Sequence, residues 1–434
     1  MGESANIINL GGRKMKKKLF ALGSAAVLAL GLASCGGNEV DNVIRLEYSG
    51  TASNKEFNMG LFEDFKAARK AAGDTKEYEI TYVEHGPDLV DSEVQDWIVG
   101  PDVYEFASDK ITGLFQKSAL GRVSGQNATF IEENNSELGC QLATFNGEYY
   151  AYPYTGDNTY YLQYDKSIFT EDDVKSMETI LEVAAKAGKK VGYKLQEAFW
   201  GAGALFTFGA DYQMTFDEDG SVQKVEADFN TDKGLKAAKA LLSIINYEYD
   251  LGDGTTFKPW QNEMVAPTPT NGLAACIAGT WDIPDYKKAL GANYACAPMP
   301  TITIDGETQH LGAFLGGKLL GVNPQRAQGN AERLAAAHQL ALFLSNKECQ
   351  LKRFQDQGVA PCNKEAAADP AVLASENVKV LVEQAKFAHA QTAVPGNFWT
   401  APNTLISGMV DGTNTMENLQ AAIDTLNESI KASK

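Results

Sequence analysis

Residues 149–164 read YYAYPYTGDNTYYLQY, and seven of the chain's 17 tyrosines fall inside this run. Three readings are open: a platform for a ligand, a metal site built from phenolates, or two tyrosine-rich strands on either side of a turn at Gly156-Asp157-Asn158. Strand alternation would place Tyr150, Tyr152 and Tyr154 on one face, and Tyr160, Leu162 and Tyr164 on one face of the strand that follows. The flanking sequence has to choose among these readings.

Upstream, Val43–Ser49 is β-rich. In the stretch after it Phe57, Leu61, Phe65 and Ala68 recur at helical spacing until Gly73. Tyr78–Val83 and Pro101–Ala107 are further strands, and strand–helix–strand alternation implies a largely parallel sheet covered on both faces. Downstream, the pattern predicts helix over Glu171–Ala187, a helix-compatible Tyr193–Phe208, and a hairpin over Met214–Val225 turning at Asp219-Gly220. A helix over Gly234–Asn246 and strands at Leu273–Ala278, Tyr294–Pro298 and Leu311–Val322 follow. One or two helices over Ala331–Phe354 and another over Val372–Phe387 come next. The last helix spans Met416–Ile430, with Asn414 and Glu417 as a capping box.

The N-terminus carries a secretory signal. Three lysines after Met15 precede an uncharged apolar run, Leu19–Ala33, and small residues follow, ending in Leu32-Ala33-Ser34-Cys35. The run is shorter than the roughly 20 residues of a comfortable membrane span. The ending resembles a bacterial lipobox, which would make Cys35 a lipidated mature N-terminus. Residues 1–14 read as a mis-annotated start and Gly36–Asn42 as a polar tether. Without residues 1–34 the chain loses five bases and one acid, which leaves 33 against 55 and a net charge of −22. So acidic a chain offers no footprint for nucleic acid. About 400 residues exceed one core, so two domains are expected.

Catalytic motifs are nearly absent. No GxSxG or HExxH occurs, and the four histidines are scattered. Gly312–Lys318 (GAFLGGK) matches part of a P-loop, but Leu319 stands where Ser or Thr must hold Mg²⁺. Those glycines read better as places where a strand bends or packs closely. Asp217–Gly220 resembles the start of a calcium loop that lacks its closing glutamate. Beyond Cys35, Cys140, Cys276, Cys296, Cys349 and Cys362 form no CxxC pair. Cys276–Cys296 and Cys349–Cys362 are available disulfides in an exported chain, with small buried thiols as the other option. Neither a metal nor a cofactor is called for.

Five stretches, in order along almost the whole mature chain, resemble the extracytoplasmic solute-binding proteins of ABC importers, and within them the maltose/maltodextrin-binding group. They are Pro101–Lys110 (PDVYEFASDK), Asn146–Pro153 (NGEYYAYP), Leu195–Trp200 (LQEAFW), Ala275–Trp281 (ACIAGTW) and Phe398-Trp399. The resemblance implies an α/β, two-lobe periplasmic-binding-protein-like fold, each lobe a mostly parallel sheet flanked by helices. Three hinge crossings would lie near Thr155–Asn158, Gly312–Gly316 and Gln357–Pro361. The lobes would be residues 43–155 plus 314–357 and 156–313 plus 358–434.

It also implies a carbohydrate ligand captured between the lobes and delivered to membrane permease subunits with their cytoplasmic ATPase, from a protein lipid-anchored outside the cytoplasmic membrane. Phe199, Trp281 and Trp399 would stack on sugar rings. Asp109, Asp157 and Glu197 would accept bonds from hydroxyls, Lys110 would donate, and Asn54 and Lys55 would assist from their loop. The chain departs from the family at several of these points. Phe106 replaces a stacking tryptophan, Lys110 an arginine and Thr280 a proline, and Asn403 stands where an arginine follows the Phe-Trp pair. An oligosaccharide other than maltose is therefore within scope. Other classes remain: a glycoside-active enzyme using Asp109 and Glu197, a polyamine or ferric-iron binder of the same fold, and a sensory or adhesive lipoprotein. Within the opening run the resemblance makes Gly156–Asn158 a crossing and Asp157 its ligand-facing acid.

Overall fold

A computed structural model describes residues 42–268 and 270–433. The expected start at Met15, the signal segment, Cys35 and the tether up to Asp41 lie outside the described residues. Among the described residues no helix is long and apolar enough to cross a membrane.

The first half begins with β1 (Val43–Gly50), α1 (Lys55–Ala71), β2 (Glu77–Glu84) and β3 (Val103–Ala107). β1 pairs in parallel with both β2 and β3. The apolar stripe of α1 buries Leu61, Phe62 and Phe65 in a core with Ile44, Leu46, Tyr78 and Ile80. The chain leaves this half along β4 (Tyr152–Asp165), a single 14-residue strand. The expected turn at Gly156–Asn158 is therefore not a turn but the midpoint of a strand.

The second half contains α2 (Met177–Lys186), β5 (Lys190–Tyr193), α3 (Ala198–Ala204), β6 (Trp260–Gln261), β7 (Leu273–Gly279) and β8 (Tyr294–Ala297). β6, β5 and β7 form a second parallel triad. The chain returns along β9 (Phe314–Val322), which carries α4 (Ala331–Leu344) and α5 (Lys347–Gln357) onto the first core. It then adds α6 (Glu376–Gln384), the two-residue β10 (His389–Ala390), α7 (Ala401–Asp411) and α8 (Leu419–Lys431).

Among the described residues the ten strands form one mixed sheet in the order β6-β5-β7-β4-β9-β3-β1-β2, with β8 on β4 and β10 on β9. The α/β, two-lobe expectation holds, with one refinement: the two sheets are continuous through the crossings. β4 pairs with β9 through Tyr152–Thr159 and with β7 through Tyr160–Tyr164, so one strand serves both lobes. The register of β4 with β9 is irregular between Gly316 and Leu319. There a Cβ on Gly317 would stand 2.4 Å from the Thr155 carbonyl, so the GAFLGGK segment is a closely packed strand and not a phosphate loop.

The seven tyrosines of the opening run are spread over separate cores. Tyr152 and Tyr154 lie in the first lobe's main core, Tyr149 and Tyr150 at the edge of its smaller one, and Tyr160 and Tyr164 in the second lobe's main core. Tyr161 packs with Tyr286 and Tyr294 on the other side of the sheet. The predicted hairpin forms from Tyr212–Phe216 and Val222–Ala227 and reaches back to the first lobe. Gln116 Nε2 donates to the Gly220 carbonyl at 2.7 Å, and the Phe145 and Phe216 rings meet edge-on at 5.2 Å. Cys362 and Lys364, just after α5, also bond to the first lobe. Ser136 N donates to Cys362 O at 2.8 Å and Lys364 Nζ to Glu132 O at 3.1 Å.

Several element boundaries differ from expectation. The helix predicted from Glu171 starts at Met177, where the Ser176 hydroxyl accepts from Thr179 N. Part of the helix-compatible Tyr193–Phe208 is consumed by β5, because Lys190–Tyr193 finds parallel partners on both sides. The Ala331–Phe354 region is two helices, and the one expected from Val372 breaks at Ser375. The last helix starts at Leu419, and Asn414 serves the end of the helix before it: its Nδ2 donates to Leu405 O at 2.8 Å and its backbone N to Gly408 O at 2.7 Å, while Asn418 occupies the N-cap. The five described cysteines are free thiols. Burial pushes the Cys276 thiol up to about 12 and that of Cys296 to about 11.

Candidate functional site

Where the two parallel triads approach the crossings, their carboxyl ends supply most of a shared cavity, the usual location for ligands in open α/β sheets. β3 ends at Ala107 and tightens into the 3-10 turn Ser108–Lys110, which carries Asp109 and Lys110. After β5, Glu197 sits at the N-cap of α3, and Phe199 and Trp200 lie on its first turn. After β7, the 3-10 turn Thr280–Asp282 carries Trp281. Trp399 and Asn403 flank the start of α7, which opens with Pro402 in its first turn.

These residues, together with Asp88, Asn158, Ala198 and Gln391, line a cavity of 360 Å³. Its size is that of a small-molecule site. Phe199 is the hub of its aromatic wall, with ring centroids 6.1 Å from Trp281 and 6.5 Å from Trp399. Trp281 is 38% exposed, which is unusual for a tryptophan without a partner. Trp200 is only 5% exposed, and its indole N–H is buried without a hydrogen-bond partner. Asn403 Oδ1 is likewise buried and unpartnered. Buried polar atoms normally find partners, so both orphans ask for one.

A relay of side-chain amides connects the crossing strand to the buried acid. Asn158 Nδ2 donates to Gln391 Oε1 at 2.8 Å, and Gln391 Nε2 donates to Asp109 Oδ1 at 3.0 Å. Ser108 Oγ holds the Gln391 carbonyl at 2.6 Å. The close approach requires glycine on β9, since a Cβ on Gly316 would stand 2.6 Å from Gln391 Oε1 and 2.8 Å from Ser108 Oγ. Burial pushes the Asp109 carboxyl up to about 7, against the pull of Lys110 and aided by Asp88 and Asp91. Lys110 stands 3.8 Å from Asp91, and Glu197 is ion-paired with Lys194. Behind Trp281, Lys318 lies 5.9 Å from its ring centroid, and burial raises Asp282 to about 6. Among the described residues no group of three or more His, Cys, Asp or Glu is placed to hold a metal ion.

The structure thus brings together Asp109, Lys110, Glu197, Phe199, Trp281, Trp399 and Asn403. Four residues singled out by sequence lie elsewhere. Asp157 faces the opposite side of β4 from Asn158, because neighbours in a strand point to opposite faces. Its Oδ2 accepts from Ala360 N at 2.8 Å, and its carbonyl accepts from Thr280 Oγ1 at 2.6 Å. Phe106 is fully buried against Tyr104 in the first lobe's smaller core. Lys55 pairs with Glu84 at 3.0 Å near the Tyr82 ring, and Asn54 precedes α1 outside the cavity lining. Sequence reading passed over Asp88, Asn158, Trp200 and Gln391. Strand parity from Asp157 could have found Asn158, and Trp200 adjoins Phe199. Gln391 has no local signal, since it is close to Asn158 and Asp109 only through the fold.

Comparison with known proteins agrees with this architecture. A galactooligosaccharide-binding protein of Bacillus subtilis (strain 168) is 24% identical over 96% of this chain and 99% of its own length. A maltodextrin-binding protein of the same organism is 23% identical over 96% of this chain and 98% of its own. The solved structure of a maltodextrin-binding protein from L. casei BL23 without ligand superposes with a TM-score of 0.73 at 22% identity, over 90% of this chain and 99% of that one. The bacterial extracellular solute-binding protein model matches residues 61–380, most of the described fold, and the chain therefore belongs to that family.

Proposed function

We propose that this cavity binds a carbohydrate and that the protein is the solute-binding component of an ABC importer. In this role it captures an oligosaccharide between its lobes and presents it to membrane permease subunits with their cytoplasmic ATPase. The observation that carries the reading is that the rings of Phe199, Trp281 and Trp399 and the acids Asp88, Asp109 and Glu197 line one cavity. The C–H faces of a sugar ring are apolar and pack on aromatic rings, while its hydroxyls bond to carboxylates. The oligosaccharide-binding names of the two relatives support the same class. Asp109, Lys110, Glu197, Phe199, Trp281, Trp399 and Asn403 are then contact residues, joined by Asp88, Asn158, Trp200 and Gln391. Hinge closure over the ligand is the motion such a two-lobe plan performs. The protein acts outside the cytoplasm, anchored by lipid on Cys35, and turns nothing over.

Thermal shift with galactooligosaccharides and maltodextrins tests the reading. A ligand at 100 times its dissociation constant adds about 2.7 kcal/mol of stability. A shift with one of these series is expected, and no shift with any saccharide would overturn it. Metabolic labelling with palmitate, lost in Cys35→Ser, tests the anchor.

One observation favours a second reading. Asp109, raised to about 7, and Glu197 share the cavity, and a glycosidase needs one protonated and one ionised carboxyl. Release of reducing sugar by the purified protein would identify that activity.

A further inference from the structure

Of the buried side-chain polar atoms that lack a partner among the described residues, two belong to the cavity lining: the Trp200 indole N–H and Asn403 Oδ1. One is a donor and the other an acceptor. Their polar neighbours Asn158, Gln391, Asp109 and Glu197 each have at least one partner inside the protein. The fold brings the two orphans to one corner. Trp200 immediately precedes Gly201 on α3, and Asn403 lies one turn before Ile406 on α7, on the same face. A Cβ on Gly201 would stand 2.4 Å from Ile406 Cδ1 and 2.2 Å from Leu195 O, so glycine lets the two helices touch at this point. The Trp200 ring is fixed in place. It stacks on Tyr160 at 5.9 Å and meets Trp281 edge-on at 6.2 Å, while the Tyr160 hydroxyl donates to the Trp200 carbonyl at 3.2 Å.

We infer that this corner selects one hydroxyl of the saccharide, which accepts from the Trp200 indole N–H and donates to Asn403 Oδ1. A hydroxyl carries one donor together with acceptor lone pairs, so a single group completes both atoms. The inference rests on the carbohydrate reading above and adds a specificity to it. Aromatic rings pack on the apolar face of a sugar whatever hydroxyls stand around it, so the stacking wall does not choose between epimers or deoxy forms by itself. A sugar with hydrogen in place of the selected hydroxyl leaves both atoms buried and unpaired. A site built around a hydroxyl discriminates strongly against the analogue that lacks it. The arginine of the family pattern at the Asn403 position has donors only, so the pairing of a donor with an acceptor belongs to this chain.

The test is titration calorimetry on the whole protein with maltotriose and β-galactotriose, each also made with every hydroxyl in turn replaced by fluorine or by hydrogen. Fluorine accepts a hydrogen bond and donates none, and hydrogen does neither. At one position of the trisaccharide that binds, the wild type should lose about tenfold with fluorine and about a hundredfold with hydrogen. Trp200→Phe, which keeps a ring without the donor, should bind the fluoro and deoxy forms of that position within about twofold of each other. Asn403→Leu should bind its hydroxyl and fluoro forms within about twofold of each other. The ratios at the other positions should stay as in the wild type. Each ratio is taken within one variant, so a general loss of packing does not imitate the result, and Asn403→Leu decides it should Trp200→Phe not fold. Fluoro forms that bind as well as the hydroxyl at every position, or ratios that neither substitution moves, would overturn the inference and leave the carbohydrate reading standing. Binding of neither trisaccharide would also overturn it, and with no thermal shift by any saccharide the carbohydrate reading falls too.

Discussion

Asp157 and Asn158 are neighbours on the same crossing strand, both nearly buried, yet they serve opposite faces. Behind the strand, Asp157 is bonded to Ala360 N and its carbonyl to Thr280, which fastens the second lobe's turn to the returning chain. In front, Asn158 leads through Gln391 to Asp109, beside orphaned atoms and an exposed tryptophan. At the back, Asp157 finds its partners within the protein and so holds the fold. The front face has orphaned polar atoms beside it and is where we propose the ligand sits. Unpaired polar groups cost stability, and a protein keeps them where something else will complete them.

The comparison can be broken in four ways. The largest effect should come from pH acting on the front face. Asp109 has a folded value near 7, above its unfolded value near 3.8, so the native state holds the extra proton. Its contribution to stability is therefore best at low pH and declines as pH rises from about 4 to about 7. The span is on the order of 4 kcal/mol at most. Asp109→Asn, which keeps the acceptor for Gln391, should remove that decline, as measured by urea unfolding at pH 4, 5.5 and 7. An unchanged profile would mean that the acid is not held neutral.

Next in size is Trp281→Ala. Because the ring is 38% exposed yet packs on Phe199 and Trp200, unfolding stability should fall by about 1 kcal/mol. Saccharide affinity should fall about a hundredfold, or 2–3 kcal/mol. Calorimetry beside a melting curve separates the two effects. Asp157→Ala should show the reverse: a loss of about 2 kcal/mol in stability from the stranded Ala360 amide, with affinity within about twofold of wild type. A selective loss of affinity would put Asp157 back among the contacts. The smallest effect is expected for Gly316→Ala, whose methyl would press on Gln391 and Ser108. It should weaken binding about tenfold through the displaced amide relay while costing about 1 kcal/mol of stability.

Much of this arrangement was readable without coordinates. The residues that follow β3, β5 and β7 were found by their family-like stretches, because a carboxyl end of a parallel strand brings whatever follows it to the same edge. Two of the four residues that lie elsewhere, Asp157 and Phe106, share one cause. The expected role of Asp157 rests on a turn at Gly156–Asn158. In a continuous strand the one-residue parity sends it to the back. Phe106 fails for the same reason: on a strand buried on both faces, one side belongs to the core.

Local pattern by itself indicated the two α/β halves and an acidic chain, and the family resemblance of five short stretches pointed to most of the aromatic and acidic residues that meet in the cavity. The first two follow from periodicity and composition, which are properties of neighbours in the chain. Tertiary structure alone decided that the two sheets share β4 and β9, which acid faces the cavity, and that Gln391 bonds to residues more than 200 positions away from it in sequence. Facing and long-range bonding depend on register between distant segments, and register is set only when both faces of the crossing strands are buried.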